Sequence, residues 1–199
     1  MQERETISIK ALKAGDREAF ATMVDAYSPK LYKLALRMLG DPLEAEDILQ
    51  EAFLKAYRGI EGFRGSSKLS TWLYRITTNE ALMRLRKNEL DTVPVDEPLL
   101  LNDGAEVPRE LKDWCCLPEA ELMSAEAQST LDIAINSLSP ALRAAFILRD
   151  LQGLSTREAA EVLNISEAAI KTRLLRARLQ LRESLSSYFS ERMERTADA

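Results

Sequence analysis

The stretch from residue 153 to about residue 184 contains two helical patterns separated by a very short break. The first pattern places Ala159, Val162 and Leu163 on one face. The second repeats apolar residues at spacings of 4, 3 and 4 through Ile170, Leu174, Ala177 and Leu181. Two short helices joined by a three-residue turn are typical of a helix-turn-helix, whose second helix lies in the major groove of duplex DNA. The segment therefore predicts a small helical domain that binds DNA.

The side of the second helix opposite its apolar stripe is basic, and arginine commonly binds the O6 and N7 atoms of guanine. We predict a base-reading face that consists of Ala169, Thr172, Arg173 and Arg176. One flank is better placed for phosphate oxygens, and it consists of Lys171, Arg178 and Arg182. A basic helical face can also be merely solvated. The turn, the small residues and the apolar spacing together favour DNA binding.

Helical periodicity also dominates the N-terminal part of the chain. One helix is predicted from about Arg17 to Leu39, and a third begins near Ser70. Between them, Asp41-Pro42 supplies an N-cap and a first-turn proline. The helix that follows has an apolar stripe made of Ala45, Ile48, Leu49, Ala52, Phe53, Ala56 and Tyr57. No segment sustains period-2 alternation, so the sequence predicts an all-α chain.

The helical pattern breaks in the middle of the chain. Residues 89–118 accumulate acidic side chains and are interrupted by prolines, which predicts a flexible acidic linker. Helical signal resumes at Glu119, restarts at Ser139-Pro140, and continues to about residue 190; residues 191–199 are expected to be a frayed tail. The sequence therefore predicts two small helical domains, at 1–88 and 119–190.

The net charge of −5 conceals an uneven distribution. Residues 68–88 hold five cations and one acid, and residues 166–182 also hold five cations and one acid, so each carries +4. Residues 89–121 hold ten acids and two cations, a balance of −8. Two basic patches separated by an acidic segment indicate two DNA-contacting domains and a linker that repels phosphate.

Several function classes are excluded or disfavoured by composition. The sequence has no histidine, which removes histidine acid–base catalysis and histidine-ligated zinc, and it has no phosphate-binding glycine loop. Its two cysteines, Cys115 and Cys116, are adjacent and are either a redox sensor or reduced thiols. We expect no enzyme activity, metal or cofactor. No signal peptide or long apolar run is present, so we expect a cytoplasmic protein without membrane insertion.

Three motifs in the first domain carry a family resemblance. They are the run from Asp47 to Tyr57 (DILQEAFLKAY), Phe63-Arg64-Gly65, and the run from Thr71 to Ile76 (TWLYRI). Together with the helix-turn-helix, they resemble the extracytoplasmic-function (ECF, group IV) sigma factors of the sigma-70 family of bacterial RNA polymerase. The resemblance covers nearly the whole chain and implies sigma region 2 at 1–88 and sigma region 4 at 119–190.

The resemblance implies that region 2 binds the clamp helices of the largest subunit of core RNA polymerase. The matching positions are Asp47, Gln50, Glu51 and Phe53. Glu51 has an alternative interpretation as a surface charge, and Phe53 as a core residue. Region 4 is expected to read the −35 element as duplex and to touch the flap of the second-largest subunit.

The resemblance also implies that the segment from residue 68 to residue 87 reads the −10 element and captures a base from the opened strand. Base capture needs a pocket, polar groups and cations for the backbone. The candidates are Lys68, Ser70, Trp72, Arg75, Asn79 and Arg84. Trp72 either stacks on a base or packs under its helix.

The expected function is that of an alternative sigma factor, which directs core polymerase to −35/−10 promoters, helps to open the DNA and is controlled by an anti-sigma factor. The alternative is a self-standing helix-turn-helix regulator. Such a regulator binds a palindromic duplex as a dimer without polymerase.

Overall fold

The structure, a computed structural model, describes the backbone of residues 7–92 and 125–197 and the side chains of residues 7–88 and 129–186. Every regular element in these ranges is helical, as predicted. The N-terminal module contains α1 (Ile9–Lys13), α2 (Arg17–Leu39), α3 (Pro42–Gly59), a 3₁₀ turn (Ile60–Gly62) and α4 (Leu69–Thr92). The C-terminal module contains α5 (Ala125–Ser137), α6 (Pro140–Phe146), a π-helical turn (Ile147–Leu151), α7 (Thr156–Leu163) and α8 (Glu167–Ala197).

Helices α2, α3 and α4 pack on one another around the core of the N-terminal module. Asp16 and Asp41 cap α2 and α3, and each carboxylate accepts two backbone N–H hydrogen bonds from the turn that follows. Gly40 ends α2 in the left-handed conformation, with φ of 77°. The fully buried side chains of this core include Met23, Leu31, Leu34, Met38, Ile48 and Leu73. The predicted limits of α2 and the predicted cap of α3 are confirmed.

The apolar stripe predicted for α3 is buried except near its C-terminal end. Its buried members are Ala45, Ile48, Ala52, Phe53 and Ala56, and Leu49 is half-buried. Tyr57 is half exposed, contrary to its predicted place in the stripe. It lies at the margin of the core because its ring packs edge-on against Phe20 of α2, with ring centroids 5.1 Å apart.

Two helices extend further than the sequence analysis expected. Helix α4 continues to Thr92, four residues into the segment assigned to the linker, and Pro94 is the first proline beyond it. Helix α8 continues to Ala197, so the backbone of residues 191–197 is helical rather than frayed. Neither glycine nor proline occurs within α8, and its Glu, Arg and Met residues favour helix. The remaining linker and the expected helix start at residue 119 lie outside the described residues.

Helices α5 to α8 bury apolar side chains that are continuous with the core of the N-terminal module. The predicted restart at Ser139-Pro140 is the start of α6, although the Ser139 side chain makes no capping hydrogen bond. Helix α6 runs directly into the π-helical turn that precedes α7. The apolar stripe predicted for α8 is confirmed, since Ile170, Leu174, Ala177 and Leu181 are all buried.

The two modules contact each other, with α4 against α7 and the C-terminal half of α2 against α5 and α6. Arg143 of α6 is buried and donates a hydrogen bond of 2.7 Å to the Met38 carbonyl, at the end of α2. It also donates to the carbonyls of Leu138 (3.1 Å) and Asn136. At Gly40, a Cβ atom would lie 3.2 Å from the Asn136 amide nitrogen. The C-terminal module therefore covers one face of the N-terminal module.

Within the described ranges, no helix combines the length and the hydropathy that crossing a membrane requires. The same ranges contain no cluster of three or more acidic or cysteine side chains arranged to hold a metal ion.

Candidate nucleic-acid interface

Helices α7 and α8 have the connection of a helix-turn-helix. The Ser155 hydroxyl accepts the Glu158 backbone N–H, while the Glu158 carboxylate accepts the Ser155 backbone N–H at 2.9 Å, so a capping box starts α7. Asn164 ends α7 in the left-handed conformation, with φ of 53°. The Ser166 hydroxyl then accepts the Ala169 backbone N–H at 3.1 Å in the first turn of α8. The predicted three-residue turn is confirmed.

The predicted base-reading residues lie together on the side of α8 away from its buried stripe. Thr172 is exposed, and Ala169, Arg173 and Arg176 are half-buried. Their spacing of three, one and three residues places them on one continuous face. Ala169 contributes only a methyl group near the start of the helix, which leaves room for close approach of a ligand.

The predicted phosphate-contacting flank is partly occupied within the protein. Lys171 is exposed, and Arg182 is half-buried. The Arg178 guanidinium forms a bidentate pair with Asp150 of the π-helical turn, at 2.8 and 2.9 Å. The hydrogen bonds to Asp150 raise the pKa of Arg178. Arg178 is therefore held by a carboxylate in this structure.

One residue of α8 that the sequence analysis missed is Leu175, whose side chain is 58% exposed. It follows Lys171 by four residues and precedes Arg178 by three, so it lies along the cationic flank. The sequence indicated the exposure of Leu175 only in that this leucine lies outside the buried stripe of α8. An exposed apolar side chain on a recognition helix can contact the methyl group of thymine.

A second cationic face lies on the N-terminal part of α4 and the residue before it. Lys68, Arg75 and Asn79 are spaced seven and four residues apart, so they share one face, and all three are exposed. Ser70 is half-buried. The Lys68 ammonium forms an ion pair of 2.8 Å with Glu158 of α7. One member of the predicted −10 site is therefore held by the helix-turn-helix.

Trp72 belongs to the core of the N-terminal module. Its side chain is 9% exposed, and its ring lies 5.3 Å from the ring of Phe63, centroid to centroid. A Cβ atom at Gly59 would lie 3.5 Å from the indole. Of the two interpretations of Trp72, the structure favours packing under the helix.

Arg84 lies apart from the other candidates for the −10 site. It follows Asn79 by five residues, which is about 140° around the helix. Its guanidinium faces α3, 3.7 Å from Glu44 and 4.0 Å from Glu51. It lines a shallow groove between α3 and α4 with Ile48, Glu51, Glu80, Met83, Lys87 and Asn88. The six predicted residues therefore do not form one cluster.

The predicted polymerase-contacting residues lie along α3, and three of the four are exposed. Asp47, Gln50 and Glu51 face outward, whereas Phe53 is 8% exposed and belongs to the core. Leu43 and Leu54, which the sequence analysis missed, are 74% and 55% exposed. Spacings of four, three and four join Leu43, Asp47, Gln50 and Leu54 in one outer stripe. This stripe is therefore an exposed surface of mixed apolar and polar character.

Comparison with known families agrees with this arrangement of modules. The family model for sigma-70 region 2 matches residues 23–90, and the model for sigma-70 region 4 matches residues 130–181. The ECF RNA polymerase sigma factor SigW of Bacillus subtilis is 41% identical over 177 residues, which cover 89% of this chain and 94% of that protein. The chain belongs to the ECF sigma-factor family.

Other members of the ECF family extend the comparison over almost the whole chain. The RNA polymerase sigma-H factor of Pseudomonas aeruginosa is 34% identical over 195 residues, 96% of this chain and 98% of that protein. Among solved structures, RpoE in complex with the anti-sigma factor NepR from Bartonella quintana has 26% identity and a TM-score of 0.60, and covers 84% of this chain and 96% of its own. CnrH with the cytosolic domain of CnrY shares the fold at a TM-score of 0.63, with 23% identity, 93% of this chain and 99% of its own.

This ECF sigma factor is thus an alternative sigma factor with a region 2 module and a region 4 module. Sigma factors are transcription initiation factors that work with core RNA polymerase at promoters, and both family models that are reported for this chain are sigma-70 models.

Proposed function

We propose that the chain binds core RNA polymerase, directs it to promoters with −35 and −10 elements, and helps to open the DNA. The observation that carries this proposal is the presence of two separate cationic faces, on α8 and on α4, in one chain that also exposes a mixed apolar and acidic stripe on α3. A self-standing helix-turn-helix regulator needs only the first of these surfaces.

In this proposal, α8 enters the major groove of the −35 element. Thr172, Arg173 and Arg176 contact base edges, and Ala169 allows the helix to approach. Lys171 and Arg182 contact phosphates, and Arg178 joins them once it is released from Asp150. Each good base contact contributes about 1–3 kcal/mol to selectivity.

The −10 element is assigned to the N-terminal part of α4. Lys68 and Arg75 neutralise phosphates of the opened strand, and Ser70 and Asn79 supply polar groups for a base edge. Trp72 supports this surface from the core rather than stacking on a base. The guanidinium of Arg84 faces Glu44 and Glu51, away from the other candidates for the −10 site. Its assignment to the −10 site therefore rests on the family resemblance alone.

The outer stripe of α3 is assigned to the clamp helices of the polymerase. Asp47, Gln50 and Glu51 supply polar contacts, and Leu43 and Leu54 supply apolar area that is exposed in the free protein. Phe53 acts from the core by holding the helix in place. Exposed leucines with polar side chains beside them match the apolar centre and polar rim of a protein interface.

The remaining assignments follow from the family. We place the protein in the cytoplasm and assign it no enzymatic activity, metal or cofactor. Region 4 also contacts the polymerase flap. Control by an anti-sigma factor is supported by the related RpoE, which was solved in complex with the anti-sigma factor NepR.

Run-off transcription tests the proposal. Core polymerase with this protein should produce discrete transcripts from genomic fragments of its own bacterium, and core alone should not. Leu54→Ala should weaken binding to core, and the matched control Leu175→Ala, an equally exposed leucine on α8, should leave core binding through α3 intact. Absence of transcription, with tight binding of a palindromic duplex by the protein alone, would favour the regulator instead.

A second experiment tests the assignment of faces on α8. Arg176→Ala should relax selectivity at one base pair of the −35 element. Lys171→Ala should weaken binding evenly across sequences and reduce the slope of log affinity against log salt by about one. Identical behaviour of the two variants would overturn the assignment.

A further inference from the structure

A groove runs between α3 and α4 in region 2, and polar contacts connect the two helices at both of its ends. At one end Lys55 pairs with Glu80 at 2.5 Å. At the other end the Asn88 amide donates a hydrogen bond of 3.2 Å to the Glu44 carboxylate, and Arg84 lies 3.7 Å from the same carboxylate. These contacts hold two antiparallel helices together over about two turns of α4, so α3 and α4 form one platform.

The lining of this groove is of mixed character. Its apolar members are Ile48, which is buried, and Met83, whose side chain is 50% exposed. Glu51 lies on the α3 side and Lys87 on the α4 side, and both are exposed. The groove has a volume of about 430 Å³, which accommodates side chains of a partner rather than a whole helix. Met83 is therefore an apolar side chain that region 2 leaves uncovered at the groove.

The groove is continuous with the surface that the proposed function assigns to polymerase, because Glu51 belongs to both. Met83 and Lys87 are four residues apart and share one side of α4. Lys87 follows Arg75 of the −10 face by twelve residues, which is about 120° around the helix. Lys87 therefore faces the groove and not the proposed −10 DNA.

We propose that this groove extends the polymerase-binding surface of region 2 from α3 onto α4. An apolar side chain of a polymerase helix enters the groove beside Met83, and a carboxylate of the same helix pairs with Lys87. The inference deepens the proposed function and rests on it, since it adds residues of α4 to the binding of core polymerase.

The charges around the groove favour a protein partner over a nucleic acid. Glu44 and Glu51 lie near Arg84, whereas Lys87 forms no ion pair within the part of the chain whose side chains are described. The Lys87 ammonium can therefore accept a carboxylate from a partner without the loss of an internal pair. A phosphate backbone in the groove would also meet the Glu51 carboxylate, and like charges repel. An exposed methionine is in turn typical of protein interfaces.

Oxidation of methionine by hydrogen peroxide, followed by mass spectrometry, tests the occupant directly, because the susceptibility of a side chain follows its exposure. In the free full-length protein Met83 should oxidise, whereas the fully buried Met23 and Met38 should stay reduced and serve as internal references. Core polymerase should slow the oxidation of Met83 several-fold. A promoter duplex without polymerase should leave it unchanged.

Unchanged oxidation of Met83, in a complex whose formation is verified by gel filtration, would overturn the inference. Equal protection by the promoter duplex alone would overturn it as well, because the groove would then face DNA. If the unaltered protein forms no complex with core polymerase, the proposed function fails and the inference falls with it. The two failures are therefore distinguishable.

Charge reversal tests the role of Lys87. Lys87→Glu should weaken binding to core polymerase by at least about tenfold, because it places a like charge opposite the carboxylate of the partner. Lys87→Arg should retain the affinity. The matched control is Lys13→Glu, at an exposed lysine in the last turn of α1, which should bind as the unaltered protein does. Equal affinities of Lys87→Glu and Lys13→Glu for core polymerase would contradict the pairing.

A second pair of variants tests the apolar contact. Met83→Ala should weaken binding to core polymerase, and Met83→Leu should restore most of the affinity because it returns the apolar area. Helicity by circular dichroism should be the same for every variant, since each residue is exposed and helix-compatible. If Met83→Ala and Met83→Leu bind core polymerase as tightly as the unaltered protein, no polymerase side chain packs in the groove.

Discussion

Arg143 connects the end of α2 to the C-terminal module through hydrogen bonds. Its replacement by methionine should destabilise region 4 and weaken the contact between the modules. The side chain is 8% exposed and donates to the carbonyls of Met38, Asn136 and Leu138. Met38 belongs to region 2, whereas Asn136 lies in the last turn of α5 and Leu138 lies between α5 and α6, both within region 4. Two of these three hydrogen bonds therefore stabilise region 4 itself, and one joins the modules.

The size of the effect follows from these bonds. A hydrogen bond from a charged donor contributes about 1.5–3 kcal/mol net, and removal of the buried charge returns part of its desolvation penalty. We expect Arg143→Met to lower the free energy of unfolding of region 4 by about 2–4 kcal/mol. With a urea dependence of about 2 kcal/mol per molar, the unfolding midpoint falls by about 1–2 M.

Urea denaturation with two probes measures both consequences. Far-ultraviolet circular dichroism reports on all helices, and tryptophan fluorescence in a Trp114→Phe background reports on Trp72 of region 2 alone. The circular dichroism midpoint should fall, and the fluorescence midpoint should fall by less, so that the two curves separate.

The control is Arg149→Met, a partly exposed arginine in the π-helical turn that follows α6. It should shift neither midpoint by more than about 0.3 M, since surface substitutions stay within about 0.5 kcal/mol. If Arg143→Met shifts the urea midpoints no more than Arg149→Met does, the hydrogen bonds to the three carbonyls do not stabilise region 4 or its contact with region 2.

Three further predictions concern α8 and Glu158. Ile170→Ala should lower stability by about 2–5 kcal/mol in urea unfolding and Ile170→Val by about 0.5–1.5, because the side chain is fully buried; equal losses would contradict a tightly packed stripe. Asp150→Asn should release Arg178 and steepen the salt dependence of −35 duplex binding by about one ion, and an unchanged slope would remove Arg178 from the phosphate contacts. Hydrogen bonds from Lys68 and Ser155 lower the pKa of Glu158 from 4.5 to about 2, so its stabilisation is present above pH 4.5 and is lost as the pH falls toward 2. Titration of the Glu158 carboxylate followed by nuclear magnetic resonance should therefore have its midpoint near pH 2, whereas a midpoint at pH 4.5 would contradict the ion pair.

The sequence predicted the helices well where local signals act over a few residues. Asp41-Pro42, the three-residue turn at the helix-turn-helix and the buried stripe from Ile170 to Leu181 all follow from caps and periodicity, which neighbouring residues decide. Helix ends were less predictable, as the extension of α8 to Ala197 shows, because no strong stop signal is present there.

Side-chain partners were not predictable from local pattern. The helical periodicity of α8 predicts that Arg178 lies on an open flank of the helix. Its partner Asp150 lies 28 residues earlier in the sequence and contacts Arg178 only in the folded chain. The same holds for Lys68 and for Arg84, whose acidic partners lie on other helices. Helical periodicity predicts the face on which a cation lies. It does not predict which side chain of another helix packs opposite that cation.

The capping box of α7 has a consequence for how this protein can change over evolution. Loss of the Lys68 charge removes its ion pair with Glu158 and its proposed DNA contact together. Substitution at Glu158 removes the same ion pair, and it also disturbs the start of α7 unless glutamine is chosen. Position 158 therefore accepts few substitutions without loss, because one carboxylate both caps α7 and contacts Lys68 of the other module.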